Sequence, residues 1–316
     1  MQDAFVHNIS FTEFKLIGFH NLGEWRPLLF IPYFLMFFLS IVANSMLLYV
    51  IISNRALHSP MFVLIGLMAV VDLCGPVLFV PHMLLSFLFG WNGISLLGCL
   101  IQMLFIHYSG SCQCTILLCM ALDRYFAICR PLFYHKHMEI TNFLKYIILP
   151  LIKNGVLITT VVCLAGRLSY CATDVIDHCF CEHMALVQLA CGDISINNLI
   201  GLMTVFLVPA VDFILITVSY IIIFVSVLKS GKAHLKAMNT CITHIIVIAF
   251  TTLFALMAFM SYRIRNNFSQ SSHVFLSTMY LLFPSCCNPI IYGLRTKEIR
   301  NHPVFCYLSN SHIKAM

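Results

Sequence analysis

The chain has 316 residues, of which 60% are hydrophobic and only 9% are charged, and its mean hydropathy is +0.93. Because soluble domains carry about 25% charged residues, this composition excludes an ordinary soluble protein. The net charge of +6 comes from basic residues beside apolar segments, so we expect the lipid bilayer as a partner and no nucleic-acid binding.

Seven apolar stretches follow one another along the chain, and each is long enough to cross a bilayer core as a helix. Their approximate limits are 28–52, 61–89, 97–122, 143–166, 198–228, 240–262 and 274–293. Prolines inside several stretches are tolerated in a membrane, where neighbouring helices and water satisfy the freed carbonyl groups. The pattern predicts an all-α membrane protein, a seven-transmembrane helix bundle with a short cytoplasmic helix after the seventh span.

Basic residues beside the spans indicate the orientation of the chain. If the N-terminus lies outside, twelve Lys and Arg residues face the cytoplasm and five face outside. We therefore expect a multi-pass plasma-membrane protein with an extracellular segment at 1–26, a transmembrane domain at 27–294 that includes a long outer loop at 167–197, and a cytoplasmic tail at 295–316. Asn8 lies in the sequon Asn-Ile-Ser and is expected to carry a glycan.

Five cysteines lie on the outer side, where disulfides persist: Cys99, Cys171, Cys179, Cys181 and Cys191. Cys99 opens the third span, so one of the loop cysteines must reach it to pin the loop across the bundle. Cys171 and Cys191 each lie ten residues from Cys181, which favours a second bridge between them. Cys179 is then left without a partner.

The hexapeptide HCFCEH (178–183) is also rich in residue types that bind metals. An alternative interpretation is therefore a metal site formed by His178, Cys179 and His183. A bridge at Cys181 would remove the best ligand, and adjacent residues of an extended segment point to opposite sides. We predict no bound metal and no other cofactor.

The sequence MALDRYFAIC (120–129) stands at the inner end of the third span. Asp123 follows Cys99 by 24 residues, or about 36 Å of helix, which is enough to cross the membrane. Charges at such a boundary are costly unless they are paired. Asp123 and Arg124 can neutralise each other in one state and release Arg124 to a partner in another, so the pair is a candidate conformational switch.

Five motifs occur in order at the corresponding spans: LHSPMF (57–62), MALDRYFAIC (120–129), SY (219–220), KAMNTCITH (236–244) and PSCCNPIIYG (284–293). With these motifs and the cysteines at 171, 181 and 191, the chain resembles an olfactory receptor of the rhodopsin-like G-protein-coupled receptor superfamily over its entire length. Leu122, Asp212 and the ending YGLRTKEIR (292–300) resemble the fish-like class I branch of these receptors.

The resemblance implies a function, its partners and several residue roles. The function would be odorant reception, with a small-molecule odorant and the olfactory stimulatory G protein, which raises cyclic AMP, as partners. Cys99 would pair with Cys181. The inner switch would comprise Asp123, Arg124, Tyr125, Tyr220 and Tyr292. A polar network between the first, second and seventh helices would comprise Asn44, Asp72 and Asn288.

A pocket for small, largely apolar ligands should be mostly hydrophobic, with few oriented polar groups. We expect it in the outer third of helices three, five, six and seven, beneath the long loop. Its candidate residues are Met103, His107, Gly110, Ser111, His183, Thr204, Phe259, Arg263 and Thr278. The guanidinium of Arg263, with the two histidines nearby, would anchor a carboxylate, since class I receptors as a group favour hydrophilic odorants, including carboxylic acids. The alternatives for Arg263 are a position at the membrane surface or pairing with acidic residues of the loop.

Other functional classes find less support in the sequence. No HExxH, GxSxG or Walker sequence occurs, so we do not expect an enzyme. A transporter would more usually show repeated halves or several charges along one path, whereas Asp72, Lys153 and Asp212 are scattered over three helices. Lys153 has no evident partner. The nearest alternative is a rhodopsin-like receptor for a metabolite or peptide outside the olfactory system, and a membrane transporter is more remote.

Overall fold

The computed structural model describes residues 10–230, 235–263 and 269–302. Within these ranges seven segments are long and apolar enough to cross a membrane, which confirms the prediction of a seven-helix membrane bundle. The helices in chain order are α1 (Phe30–Ser53), α2 (Pro60–Val77), α3 (Val80–Phe89), α4 (Leu96–Cys129), α5 (Pro131–Met138), α6 (Ile140–Gly166), α7 (His183–Val187), α8 (Ser195–Ser230), α9 (Leu235–Arg263), α10 (Gln270–Arg295) and α11 (Lys297–Arg300). A 3-10 helix (His20–Leu29) precedes α1, and another (Arg55–Leu57) follows it.

The second span consists of two helices, although the sequence predicted one continuous stretch. Pro76 lies in the last turn of α2, and Pro81 lies in the first turn of α3. Because proline lacks an amide proton and its ring clashes with the preceding turn, the helix breaks between these two positions. The break frees the carbonyl of Leu78, which accepts a hydrogen bond from Nε2 of Gln102 on α4 at 3.1 Å.

A small three-stranded sheet covers the outer end of the bundle, by which we mean the end that carries the N-terminal segment. Strands β1 (Glu13–Leu16), β2 (Gly93–Ser95) and β3 (Val175–Ile176) lie in the order β2-β1-β3, with β1 antiparallel to β2 and parallel to β3. Nζ of Lys15 lies 2.8 Å from a carboxylate oxygen of Asp174 in the long loop. The sequence did not predict this sheet, which ties the N-terminal segment to the loop. Asn8 lies outside the described residues.

Helix α4 is the centre of the bundle. It packs against α2, α6, α8 and α9, and α5 packs against its inner end. Its outer half joins an apolar cluster with the loop residues Tyr170 and Leu186, whereas its inner half joins a second cluster around Met120 and Tyr292. One rigid helix therefore connects the candidate ligand site to the candidate switch.

Candidate functional site

Two disulfides hold the long loop over the outer end of the bundle. Cys99 at the start of α4 is bonded to Cys181, with their Cα atoms 5.4 Å apart. Cys171 is bonded to Cys191, with a Cα separation of 5.7 Å. The loop is also held by a hydrogen bond that the sequence did not indicate, since the backbone N–H of Cys181 donates to Oε1 of Gln102 at 2.8 Å.

The HCFCEH segment has the structure of a packed anchor. The Cys181 thiol is consumed in the disulfide, and the free thiol of Cys179 is buried against the backbone of Gly18, where a side chain would collide with it. Burial raises the pKa of the Cys179 thiol. Among the described residues, no group of three or more His, Cys, Asp or Glu side chains has a geometry suited to a metal ion.

Two of the predicted ligand residues, His107 and His183, come together beneath the loop. His183 begins α7, and its ring packs against α8 at Gly201, where an added Cβ would lie 2.8 Å from the ring carbon Cε1. His107 on α4 is close enough to His183 to interact with it electrostatically. Both rings carry a buried Nε2 atom to which the described residues offer no hydrogen-bond partner.

The protonation state of His183 follows from its burial. His183 is only 5% exposed, and desolvation lowers its pKa to about 4. The ring is therefore neutral near pH 7, with one nitrogen able to donate a hydrogen bond and the other able to accept one.

Other predicted ligand residues have different surroundings. Met103 is fully buried in the apolar cluster that surrounds the Cys99 disulfide, so it supports the loop. The hydroxyls of Ser111 and Thr204 donate at 2.8 Å to carbonyl groups of their own helices. Gly110 leaves space for the hydroxyl of Tyr280, which would lie 3.1 Å from an added Cβ. The side chains of Phe259 and Arg263 lie outside the described part of the chain.

Thr278 points away from its predicted place in the ligand site. Its side chain is fully buried and hydrogen-bonds to the hydroxyl of Tyr33 on α1 at 2.8 Å and to the Val274 carbonyl of its own helix at 2.9 Å. The packing of α10 against α1 directs it there, and residue spacing within α10 does not reveal that rotation. Thr278 therefore joins two helices at the outer end.

A narrow cavity lies deeper in the bundle, and its interior accommodates about one water molecule. It is lined by Gly75, Ile106, Ser109, Gly110, Gln113, Leu281 and Ser285. Gln113 also belongs to the polar network at the centre of the membrane. The cavity therefore lies between α2, α4 and α10, next to that network.

Asp72 is the centre of the polar network. Its carboxylate accepts hydrogen bonds from Asn288 Nδ2 at 3.0 Å and from Gln113 Nε2 at 2.6 Å. Asn44 was expected in the same network, but its amide donates to the carbonyl oxygens of Ser40 at 2.9 Å and Ser285 at 2.8 Å. Gln113 was not predicted, because an amide on the third span has no sequence signal that links it to Asp72.

The candidate switch is in a closed arrangement. Nε of Arg124 donates to Oδ2 of Asp123 at 2.9 Å, and the Asp123 side chain is fully buried. The other carboxylate oxygen accepts a hydrogen bond at 2.9 Å from the hydroxyl of Tyr134 on α5. Burial raises the pKa of Tyr134 to about 12, and the negative charge of Asp123 is the second-largest cause of this shift. Tyr134 was not among the predicted switch residues.

The three tyrosines that were predicted for the switch lie in or beside the inner apolar cluster. The Tyr292 hydroxyl donates to the sulfur of Met120 at 3.4 Å. The Tyr220 hydroxyl is buried and has no hydrogen-bond partner among the described residues. Tyr125 packs edge-on against Phe126, with ring centroids 5.4 Å apart. In this arrangement both carboxylate oxygens of Asp123 are occupied and the hydroxyl of Tyr220 is free to accept a new partner.

Comparison with known proteins agrees with this architecture. The family model of olfactory receptors matches residues 33–309. Human olfactory receptor 52K1 is 36% identical over 300 residues, which cover 93% of this chain and 96% of the relative. Human olfactory receptor 52K2 is 38% identical over 292 residues, covering 92% and 93% of the two chains, and human olfactory receptor 52A5 is 38% identical over 297 residues, covering 93% and 94%.

The chain belongs to the olfactory receptor family. The family resemblance predicted from the motifs is thereby confirmed. As a member of this family, the receptor is a multi-pass plasma-membrane protein of the G-protein-coupled class and is not an enzyme. The two histidines at its outer end and the Asp123–Arg124 pair at its inner end are the candidate ligand site and the candidate switch of this receptor.

Proposed function

We propose that the receptor binds small hydrophilic odorants, carboxylic acids among them, between α4, α8 and α9 beneath the long loop. The observation that carries this proposal is the pair of interacting imidazoles of His107 and His183, whose buried Nε2 atoms have no hydrogen-bond partner among the described residues. A buried polar group left without a hydrogen bond costs about 1–3 kcal/mol, so a ligand that supplies the missing bonds is favoured over a purely apolar one.

The chemistry of the two rings supports an oxygen-containing ligand. A neutral imidazole donates at one nitrogen and accepts at the other, and an acid, alcohol or aldehyde oxygen can pair with such groups. A carboxylate needs a positive charge as well, and Arg263 is the residue we assign to it from the sequence. The disulfide at Cys181 holds His183 two residues away, so the loop end of the site is pre-organised.

The signalling half of the proposal concerns the inner end of α4. Ligand binding would favour an open arrangement in which Arg124 leaves Asp123 and becomes available to a G protein, together with Tyr220 and Tyr292. We propose the stimulatory olfactory G protein as the partner and a rise in cyclic AMP as the result. The closed pair and the unpartnered Tyr220 hydroxyl support two arrangements of this switch.

The experiment is a cyclic-AMP reporter assay in cells, with short acids, alcohols and aldehydes as candidate ligands. Each active compound is tested again on His107→Ala, His183→Ala and Arg263→Ala. We expect both histidine variants to raise the half-maximal concentration of all oxygen-containing ligands, and the arginine variant to act selectively on acids.

Matched controls are His20→Ala, which removes a histidine that is 51% exposed, and Arg265→Ala, which removes a nearby arginine. Both should retain the parental response. Unaltered responses of all three site variants to every active compound would contradict the proposed ligand site, and a response that persists in Arg124→Ala would contradict the switch.

A further inference from the structure

Two opposite charges lie at the middle of the membrane on neighbouring helices. Lys153 is 13 residues from either end of α6, and Asp212 is near the middle of the 36-residue helix α8. Thirteen residues of helix extend about 20 Å on each side of Lys153, and half of a bilayer core is about 15 Å thick. Lys153 therefore lies near the middle of the core, and its stem is too short to bring the ammonium group to either surface. Helices α6 and α8 pack against each other.

The surroundings of Asp212 indicate which group balances its charge. Asp212 is buried, with 7% of its surface exposed, and the positive charge of Lys153 acts on its carboxylate. From α4, the thiols of Cys114 and Cys119 are near enough to interact with it, but neither supplies a positive charge. The other carboxylate near the centre of the membrane, Asp72, is already held by two side-chain amides.

Lys153 in turn needs a negative charge close to its ammonium group. Its side chain lies on the exposed, lipid-facing side of α6, where an ammonium group without an opposite charge is strongly disfavoured. The described residues contain no direct ion pair between the two groups in this structure, and the flexible four-carbon stem of Lys153 allows its ammonium group to move towards the carboxylate.

We propose that Lys153 and Asp212 form an ion pair inside the membrane that holds the middle of α8 against α6. Helix α8 contacts His183 at Gly201 towards its outer end and carries Tyr220 towards its inner end. The pair thus positions a helix that, like α4, reaches both the candidate ligand site and the candidate switch. Lys153 and Asp212 are positioning residues, and neither is assigned a contact with the ligand.

The first test measures the amount of receptor at the cell surface by antibody labelling of an N-terminal tag, which requires no ligand. Because a lone charge at the bilayer centre opposes insertion, Lys153→Met and Asp212→Asn should each lower the surface level about fivefold or more. The double variant should return to within about twofold of the parent, as should the exchanged variant Lys153→Asp with Asp212→Lys. Lys145→Met, at the inner end of the same helix, is the control and should have little effect.

The second test detects the charge of Asp212 directly. Dicyclohexylcarbodiimide modifies protonated carboxyl groups in apolar surroundings, and mass spectrometry locates the product. We expect Asp212 to resist modification in the purified parent and in Lys153→Arg, and to be modified in Lys153→Met, whose lone carboxyl group takes up a proton. A purely structural role of Lys153 would not produce this difference.

Specific results would overturn the proposal. One is a pair of single variants that both reach the surface at the parental level. Another is a double variant whose loss equals the product of the two single losses, since independent residues behave in that way. The third is equal modification of Asp212 in the parent and in Lys153→Met. Failure of the ligand assays would leave each of these measurements valid, because none depends on an odorant.

Discussion

Removing the hydroxyl of Tyr134 should activate the receptor without ligand. In the closed arrangement this hydroxyl donates to the buried carboxylate of Asp123 at 2.9 Å, while Arg124 binds the other carboxylate oxygen. A hydrogen bond to a charged group contributes about 1.5–3 kcal/mol, and we take the lower end because Tyr134 is only half-buried. If the bond exists only in the closed arrangement, Tyr134→Phe raises the ratio of open to closed receptor about tenfold.

The assay is cyclic-AMP accumulation without ligand, divided by the amount of receptor at the surface. Tyr146→Phe is the matched control, since its hydroxyl contacts His137 at 3.2 Å and does not touch Asp123. We expect a clear rise for Tyr134→Phe and parental activity for the control. Equal activity of the two variants would refute the reasoning, because the bond to Asp123 would then contribute nothing to the closed state.

Three further predictions concern the outer end. Gly201→Ala should displace the His183 ring, which would lie 2.8 Å from the new Cβ, and should lower the response to acids and alcohols in the reporter assay. Lowering the pH from 6.5 to 4.5 should make the loop of purified receptor more sensitive to protease. Burial lowers the pKa of His178 to about 3 and that of His183 to about 4, so both rings bind protons when the loop opens, and the folded loop loses stability as the pH falls. Burial raises the pKa of Glu182 to about 7, which acts in the opposite direction, but one acid is outweighed by two histidines. Cys99→Ser should abolish most surface delivery, because loss of a native disulfide costs about 2–5 kcal/mol.

Each of these predictions has its own control. Gly192→Ala should respond like the parent, since nothing lies within 4 Å of a Cβ at that position. Glu182→Gln should steepen the loss of protection at acid pH, and an unchanged pH profile would contradict the assigned signs. Cys179→Ser removes an unbonded thiol, so it should reach the surface far better than Cys99→Ser. Equal delivery of these two variants would show that the disulfide does not support the loop.

The residues predicted for the site show where sequence reasoning was sufficient. Asp123 and Arg124 are adjacent in the chain, so their pairing needed no knowledge of helix packing. His107 and His183 were placed together because the disulfide limits where the loop can lie. The bond between Thr278 and Tyr33 was not foreseen, since the rotation of α10 towards α1 is set by helix packing. The contribution of Tyr134 was missed, since α5 folds back beneath α4.

The sequence by itself determined the seven membrane helices, the family and the chemistry of the two ends. These features are local, because each span must be apolar and long enough and must satisfy its own backbone groups in lipid. Only the tertiary structure decided which side chains meet across helices, as Gln113 meets Asp72 and the N-terminal strand meets the loop. The reason is that lipid is as apolar as the bundle interior, so hydrophobic periodicity does not mark the inward face of a membrane helix.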